Sequence, residues 1–289
     1  METEQRLSCM ENAEISPENG FFDVEECGVF TDVSYPAYGR IYSHAKQFKG
    51  IRRVDTREIV GIRKSRYQVV NNITVVERFD EIVTRAGMEW RHEKTHMIRG
   101  GAKTVFEFAF PKERIEVAPT CFERKEGRDI IEMRAYLTNS FDGGTSVKLD
   151  LGFFRLVCLN GAFIGEKETA MKIPHIGDNI EDRLVAHFKR YIYGEIENTR
   201  RFTERLREGY FKEYAEALAV MDRLKKNFGE KNMGGVFEIW QALGTPLNFW
   251  GFYNCFTYVI THLVRRDIAG KLALMKRVNL EANDWLKRR

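Results

Sequence analysis

The chain has 289 residues, 43% of them hydrophobic and 30% charged, with a formal net charge of +4. That length predicts one large domain or two modest ones with enough apolar side chains for a core. No apolar run reaches the roughly 18 uncharged residues of a membrane span, and Met1 to Gly20 lacks the basic-then-apolar pattern of a secretory leader, so no membrane association is expected. The five cysteines (Cys9, Cys27, Cys121, Cys158 and Cys255) are odd in number, widely spaced and free of C-x-x-C. They point to a reducing compartment and to buried small apolar side chains rather than a disulfide framework or zinc site.

Charge is distributed unevenly. Residues 1–32 hold one Arg and nine Asp or Glu, whereas the remainder holds 45 basic and 33 acidic residues. An acidic arm over 1–33, irregular and partly disordered around Pro17 and Gly20, is expected ahead of a basic body. A basic body attracts polyanions by counterion release. Residues 34–67 concentrate the feature. Tyr35, Tyr38, Tyr42 and Phe48 alternate with nine cations (Arg40, Lys46, Lys49, Arg52, Arg53, Arg57, Arg63, Lys64 and Arg66), opposed only by Asp55 and Glu58. Cations that track phosphates beside rings that stack on bases are what a single-strand groove needs.

Further along, Tyr67–Val70 reads as a short strand. Val75, Val76, Phe79, Ile82, Val83 and Ala86 recur at helical spacing before Gly87. Strands are predicted over 88–98, 105–110, 131–138 and in the return from Ser146 to Leu159, with Gly100-Gly101 and Asn139–Gly144 as turns. From Ile180 the periodicity becomes helical. One long helix or two consecutive ones precede helices near 235–243, 247–265 and 267–288, with Thr245 and Pro246 as N-cap and first helical residue of the second. Trp250, Tyr253, Asn254, Thr257, Tyr258 and His262 form a polar stripe, expected to pack on the sheet with Asn254 and His262 hydrogen-bonded inside. The predicted class is α+β: an N-terminal antiparallel sheet with one or two packed helices, then a helical C-terminal part. The expected divisions are the arm at 1–33, a strand-rich core at 34–175 and a helical region at 176–289.

Several patterns bear on chemistry. His92-Glu93-Lys94-Thr95-His96 is a literal H-E-x-x-H, which binds zinc when a helix puts both histidines on one face. Here the neighbours alternate as in a strand, which would set the histidines about 13 Å apart. The match is read as chance, with no metal. Glu123-Arg124-Lys125 with Glu113 or Glu116 upstream matches the acid and acid-x-Lys arrangement of Mg²⁺-dependent nucleases. It supports an alternative in which Glu116, Glu123 and Lys125 cleave a nucleic acid. Walker A, G-x-G-x-x-G and G-x-S-x-G patterns do not occur, which disfavours P-loop, dinucleotide-fold and α/β-hydrolase chemistry. Asn139, Asp142, Arg155 and Asn160 sit among apolar residues and read as an internal polar anchor. Arg155 requires a partner, with Asp142, Asp150 and Glu132 as candidates and a phosphate as the functional alternative.

Three blocks together carry a resemblance. They are Tyr67–Asn72 (YQVVNN), Leu137–Gly144 (LTNSFDGG) followed by Arg155–Gly161 (RLVCLNG), and the helix within Gly244–His262. Over roughly residues 34–266 the chain resembles the phage/plasmid-like proteins catalogued as a domain of unknown function (the 932 family). Phe141 stands where that family's middle block has His. The family's genetic setting is similar to that of phage recombination genes. This implies an annealing-type role like that of Redβ-like and eukaryotic Rad-type annealing proteins, which commonly form homo-oligomeric rings. It transfers no catalytic residues.

The expectation is therefore a phage- or plasmid-encoded protein of the bacterial cytoplasm that binds nucleic acid, single-stranded DNA first, in replication or recombination. Arg52, Arg53, Arg63, Lys64 and Arg66 would neutralise phosphates, and Tyr38 and Tyr42 would stack on bases. No cofactor is expected, Mg²⁺ entering only with the nuclease alternative. A third alternative is an interaction protein whose acidic arm contacts a host factor.

Overall fold

The computed structural model describes residues 16–35, 39–117, 129–145, 147–155, 160–162, 170–172, 180–245 and 247–287. The fold is α+β, with antiparallel strands in front and helices behind. Strands β1 (Val24–Tyr35), β2 (Gly39–Arg53) and β3 (Ile59–Lys64) make a three-stranded antiparallel sheet in that order. A second sheet runs β4 (Arg91–Ile98), β5 (Lys103–Val117), β6 (Asp129–Ser140), β7 (Lys148–Arg155) and β8 (Asn160–Ala162), with β9 (Ala170–Lys172) paired to β7. Helix α1 (Asn72–Arg85) lies between the sheets in sequence, and α2 (Ile180–Glu208), α3 (Tyr214–Phe228), α4 (Glu230–Ala242), α5 (Phe249–Tyr258) and α6 (Ile268–Lys287) follow. Among the described residues no helix is long and apolar enough to cross a membrane.

The described residues fall into two compact units that interleave along the chain. The first lies within Met1–Phe108, Tyr136–Asp150 and Met171–Val185, the second within Ala109–Ala135, Leu151–Ala170 and Ala186–Arg289. In the first unit, the apolar face of α1 seats Phe79 on Phe108, ring centroids 4.6 Å apart, with Trp90 edge-on to both. A separate core beneath the three-stranded sheet joins Phe22, Ile51, Val60, Ala102 and Phe141, with Val24, Tyr67 and Val69 packed against it. Gly61 is required there, because a Cβ would stand 2.3 Å from the Phe141 carbonyl oxygen. In the second unit, α3 packs on α4 and α6, and α5 packs on β8. The rings of Phe211, Phe249, Phe252 and Trp285 form its aromatic centre.

Four local expectations differ from the structure. The second half of the acidic arm is not irregular: Val24–Tyr35 is strand β1, its register with β2 running from Val24↔Arg53 to Tyr35↔Gly39 with one irregularity after Gly28. Tyr67–Val70 is not a strand. Its Val70 carbonyl accepts from the Asn139 side chain, and its Tyr67 and Val69 side chains turn into the core. The N-cap of α5 is Asn248, whose Oδ1 accepts from the Gly251 N–H at 2.6 Å; Thr245 has φ +50° and Pro246 lies outside the described residues. In the polar stripe, Asn254 is buried and donates to the Trp250 carbonyl, but His262 is exposed against the Tyr258 ring. The long helical run from Ile180 resolves into α2 and α3. The chain breaks at Gly209, whose carbonyl accepts from the Phe249 N–H at 2.8 Å.

Candidate nucleic-acid interface

Two neighbouring features of the first unit hold the polar residues of interest. The first is a buried hydrogen-bonded knot that joins the YQVVNN and LTNSFDGG blocks. Asn72, at the start of α1, donates through Nδ2 to the Gly20 carbonyl at 2.7 Å and to Thr104 Oγ1 at 3.2 Å. Asn139, at the end of β6, donates through Nδ2 to the Val70 carbonyl and to Asn72 Oδ1, both at 2.9 Å, and accepts from the Ser140 N–H. Tyr67 Oη donates to the Ser140 carbonyl at 3.0 Å. The Phe141 N–H donates to the Ala102 carbonyl at 2.8 Å. Asn72 and Asn139 are buried, so each bond replaces one that water would otherwise supply.

Asp142 closes the knot. Its Oδ1 accepts from Ser140 Oγ at 2.7 Å and the Gly144 N–H at 2.8 Å, and its Oδ2 lies 3.7 Å from Arg99. Burial pushes this carboxyl up, but the Ser140 hydroxyl, the Gly144 N–H and the Arg63 and Arg99 guanidiniums outweigh it and hold the carboxyl below its ordinary value. Gly143, at φ +62°, lets Arg63 lie against the turn, since a Cβ there would stand 2.4 Å from the guanidinium carbon. The Asn139–Gly144 segment is thus a turn whose polar groups serve one another. Phe141 is a core ring packed on Phe22.

The second feature is the three-stranded sheet. Its cations are sorted by the strand that faces them. Glu25 of β1 accepts from Arg52 and Arg57, each at 2.7 Å, and Glu26 accepts from Lys49 at 2.5 Å. Asp32 lies 3.7 Å from Arg40. Arg53 is 7% exposed; its guanidinium sits 4.0 Å above the Phe22 ring, donates to the Gly100 carbonyl at 3.0 Å and pairs with Asp55 at 2.5 Å. The partner Asp55 hydrogen bond outweighs burial and raises the Arg53 pKa further. Its observed placement is that of a structural ion pair.

The cations that remain lie at one end of the β2–β3 ladder. Phe48 pairs with Lys64, and the Ser65 N–H donates to the Gln47 carbonyl at 3.0 Å, which carries the pairing on towards Lys46 and Arg66. Lys46, Lys64 and Arg66 are exposed and have no ion-pair partner among the described residues. Phe48 is 39% exposed between them, and Tyr42 and Phe30 farther along the β1–β2 ribbon are 65% and 61% exposed. Sequence reasoning named Lys64, Arg66 and Tyr42 but did not assign Phe48 or Lys46 a role; their cross-strand register is what joins them.

The other candidates are placed as follows. Tyr38, Glu123 and Lys125 lie outside the described residues, and Glu116, Arg155 and Asn160 lie in β5, β7 and β8 with side chains outside them. The three carboxylates proposed for Arg155 each have cations of their own. Asp142 has Arg63 and Arg99, Asp150 has Lys148 at 2.9 Å, and buried Glu132 has Arg114 at 2.9 Å and Arg134 at 3.4 Å. The H-E-x-x-H segment is strand β4. His92 packs on Phe106 and Phe108, whereas His96 Nε2 is 3.5 Å from Glu107. Phe106 and Phe108 alternate with Glu107 along β5, so the two imidazoles lie on opposite faces of the sheet and cannot share an ion.

A cavity of about 560 Å³ opens beside the knot, lined among others by Lys49, Tyr67, Gln68, Asn71, Thr74 and Arg78. No curated protein and no solved structure matches the chain. A family model described as a domain of unknown function (DUF932) matches residues 59–280, which span both family blocks of the knot and the helices to α6. With that match over more than half of its length, the chain belongs to the DUF932 family.

Proposed function

We propose that the protein binds single-stranded nucleic acid, DNA first, on the exposed end of the β2–β3 ladder, and that it serves strand annealing in replication or recombination in a bacterial cytoplasm. The observation that carries the reading is the group of unopposed cations, Lys46, Lys64 and Arg66, around exposed Phe48. Cations at that spacing follow a phosphate backbone while a ring offers a sequence-tolerant stacking surface. Tyr42 and Phe30 extend the same chemistry along the ribbon. Arg52, on the same strand β2, is held by Glu25, and Lys49 by Glu26. A strand that displaced the Glu25 carboxylate would gain a further contact with Arg52, so β1 tempers affinity from within the sheet.

The test is fluorescence anisotropy with labelled single-stranded and duplex DNA across a salt series, with and without Mg²⁺. The expected result is Mg²⁺-independent binding that favours the single strand and weakens with salt. Three phosphate contacts give a slope of log K against log salt of about −2. Absence of binding, or binding indifferent to salt, would refute the proposal.

A further inference from the structure

The solvent face of the three-stranded sheet carries more exposed apolar surface than the ladder end alone accounts for. Residues paired across a ladder share a face, and alternate residues along a strand return to it. The pairs Phe48↔Lys64, Gly50↔Ile62 and Cys27↔Gly50 therefore put Phe48, Lys64, Ile62 and Cys27 on one face, and Glu25↔Arg52 continues it. Ile59 joins them, since its Cδ1 lies 3.7 Å from where a Cβ of Gly50 would stand. Ile59 and Ile62 are 54% and 55% exposed beside Phe48. Gly50 lets them converge. A Cβ there would stand 2.6 Å from Cys27 Sγ, so the sulfur sits over the glycine at the centre of the patch.

Cations bound this patch at both ends. Lys64 stands beside Phe48 at the ladder end, and Arg66 follows two residues on. At the far end Arg52 and Arg57 both donate to Glu25 at 2.7 Å, so two guanidiniums share one carboxylate and a net positive charge remains. From Phe48 to Arg52 the strand rises about 13 Å, room for a short run of nucleotides. Apolar side chains between cations suit a chain with flat apolar faces on an anionic backbone. A duplex keeps its base faces stacked inside and cannot offer them to the patch. The charge of the two ends, and the continuity of the face with the ladder end, select a single strand as its occupant.

We propose that the bound single strand runs on from the ladder end across this face, over Gly50. Its bases rest on Phe48, Ile62 and Ile59, and its phosphates run from Lys64 to Arg52 and Arg57. The inference rests on the strand-binding reading above and adds the path of the strand. Cys27, a free and partly exposed thiol, lies beneath that path and reports on it.

The experiment follows alkylation of Cys27 by iodoacetamide, read on its own peptide by mass spectrometry, with and without oligo-dT. At about ten times its Kd, oligo-dT should slow the reaction about tenfold. Ile62→Ser removes exposed apolar surface and no charge. Its affinity for oligo-dT should fall about fivefold while the salt slope stays that of wild type. If oligo-dT binds but leaves Cys27 alkylation unchanged, or a folded Ile62→Ser binds as wild type does, the path is refuted while binding at the ladder end stands. An Ile62→Ser variant that binds normally but loses a dimer in sedimentation gives the face to a second copy, which also refutes the path. Should Cys27 resist alkylation in the unbound protein, Ile62→Ser decides alone. If oligo-dT does not bind at all, the strand-binding reading is refuted and the path with it.

Discussion

The knot and the sheet end are built from similar residue types and put them to opposite use. In the knot, Asn72, Asn139, Ser140 and Asp142 are turned inward, and their polar atoms are matched to a backbone or side-chain group of the same unit. At the end of the β2–β3 ladder, Lys46, Lys64 and Arg66 face solvent with no carboxylate opposite among the described residues. Matched polar groups in a dry setting specify a fold, because breaking one leaves its partner buried and unsatisfied. Unmatched cations in water contribute little to stability and are available to an anionic partner. The comparison assigns the two blocks to architecture and leaves the less distinctive basic stretch as the surface proposed for binding.

The sharpest way to break this contrast is to cut the knot. Asn139→Ala removes the donor to Val70 and Asn72 and the acceptor for Ser140 in one step. A loss of about 3 kcal/mol in unfolding free energy by urea titration is expected. A loss below half that would mean that the knot is not structural. Phe48→Ala tests the other side. The ring is 39% exposed, so stability should hold while affinity for single strands falls about tenfold, the stacking contribution of one base. If stability falls and affinity does not, Phe48 belongs to the core.

A smaller effect is expected from the carboxylates of β1. Glu25→Gln with Glu26→Gln should release Arg52, Arg57 and Lys49 and tighten strand binding a few-fold, with a steeper dependence on salt. Unchanged affinity would show that these ion pairs are not in competition with a strand. Truncating the acidic arm would be a poor substitute, since residues 24–32 are a strand of the sheet.

The smallest effect is the pH response of Asp142. Its carboxyl is held below the ordinary value in the folded state, so its contribution is complete above the unfolded value of about 4 and is lost as pH falls through the folded value. Partial exposure limits that contribution to about 1 kcal/mol or less. Wild type should therefore exceed Asp142→Asn in melting temperature at pH 7, and the gap should close in acid. A gap that persists unchanged below the folded value would assign the loss to shape rather than charge.

Much of this architecture is legible in the chain because it rests on short-range periodicity. The spacing of Val75, Val76, Phe79, Ile82 and Val83 predicts α1, and the alternation around His92 and His96 predicts β4. What is not legible depends on partners distant in sequence. Nothing local shows that Glu25 and Glu26 lie across from Arg52 and Lys49, or that Arg53 lies over Phe22 with Asp55. A count of cations over 34–67 therefore overstates the charge that a ligand meets. Tyr67–Val70 has the apolar content of a strand, but the Val70 carbonyl is taken by Asn139, 69 residues away. The grouping of Lys46 with Arg66 follows from the β2–β3 register, which the spacing of those residues does not encode.

The central claim is that the fold is held by the knot and the strand by the sheet end. It is tested most directly by one double variant, Lys64→Gln with Arg66→Gln, measured for single-stranded DNA affinity across salt and for unfolding free energy. The account predicts a loss of affinity of about tenfold or more at low salt, a salt slope flattened by about 1.4, and unfolding free energy within about 0.5 kcal/mol of wild type. Unchanged affinity and slope in a stably folded variant would contradict it.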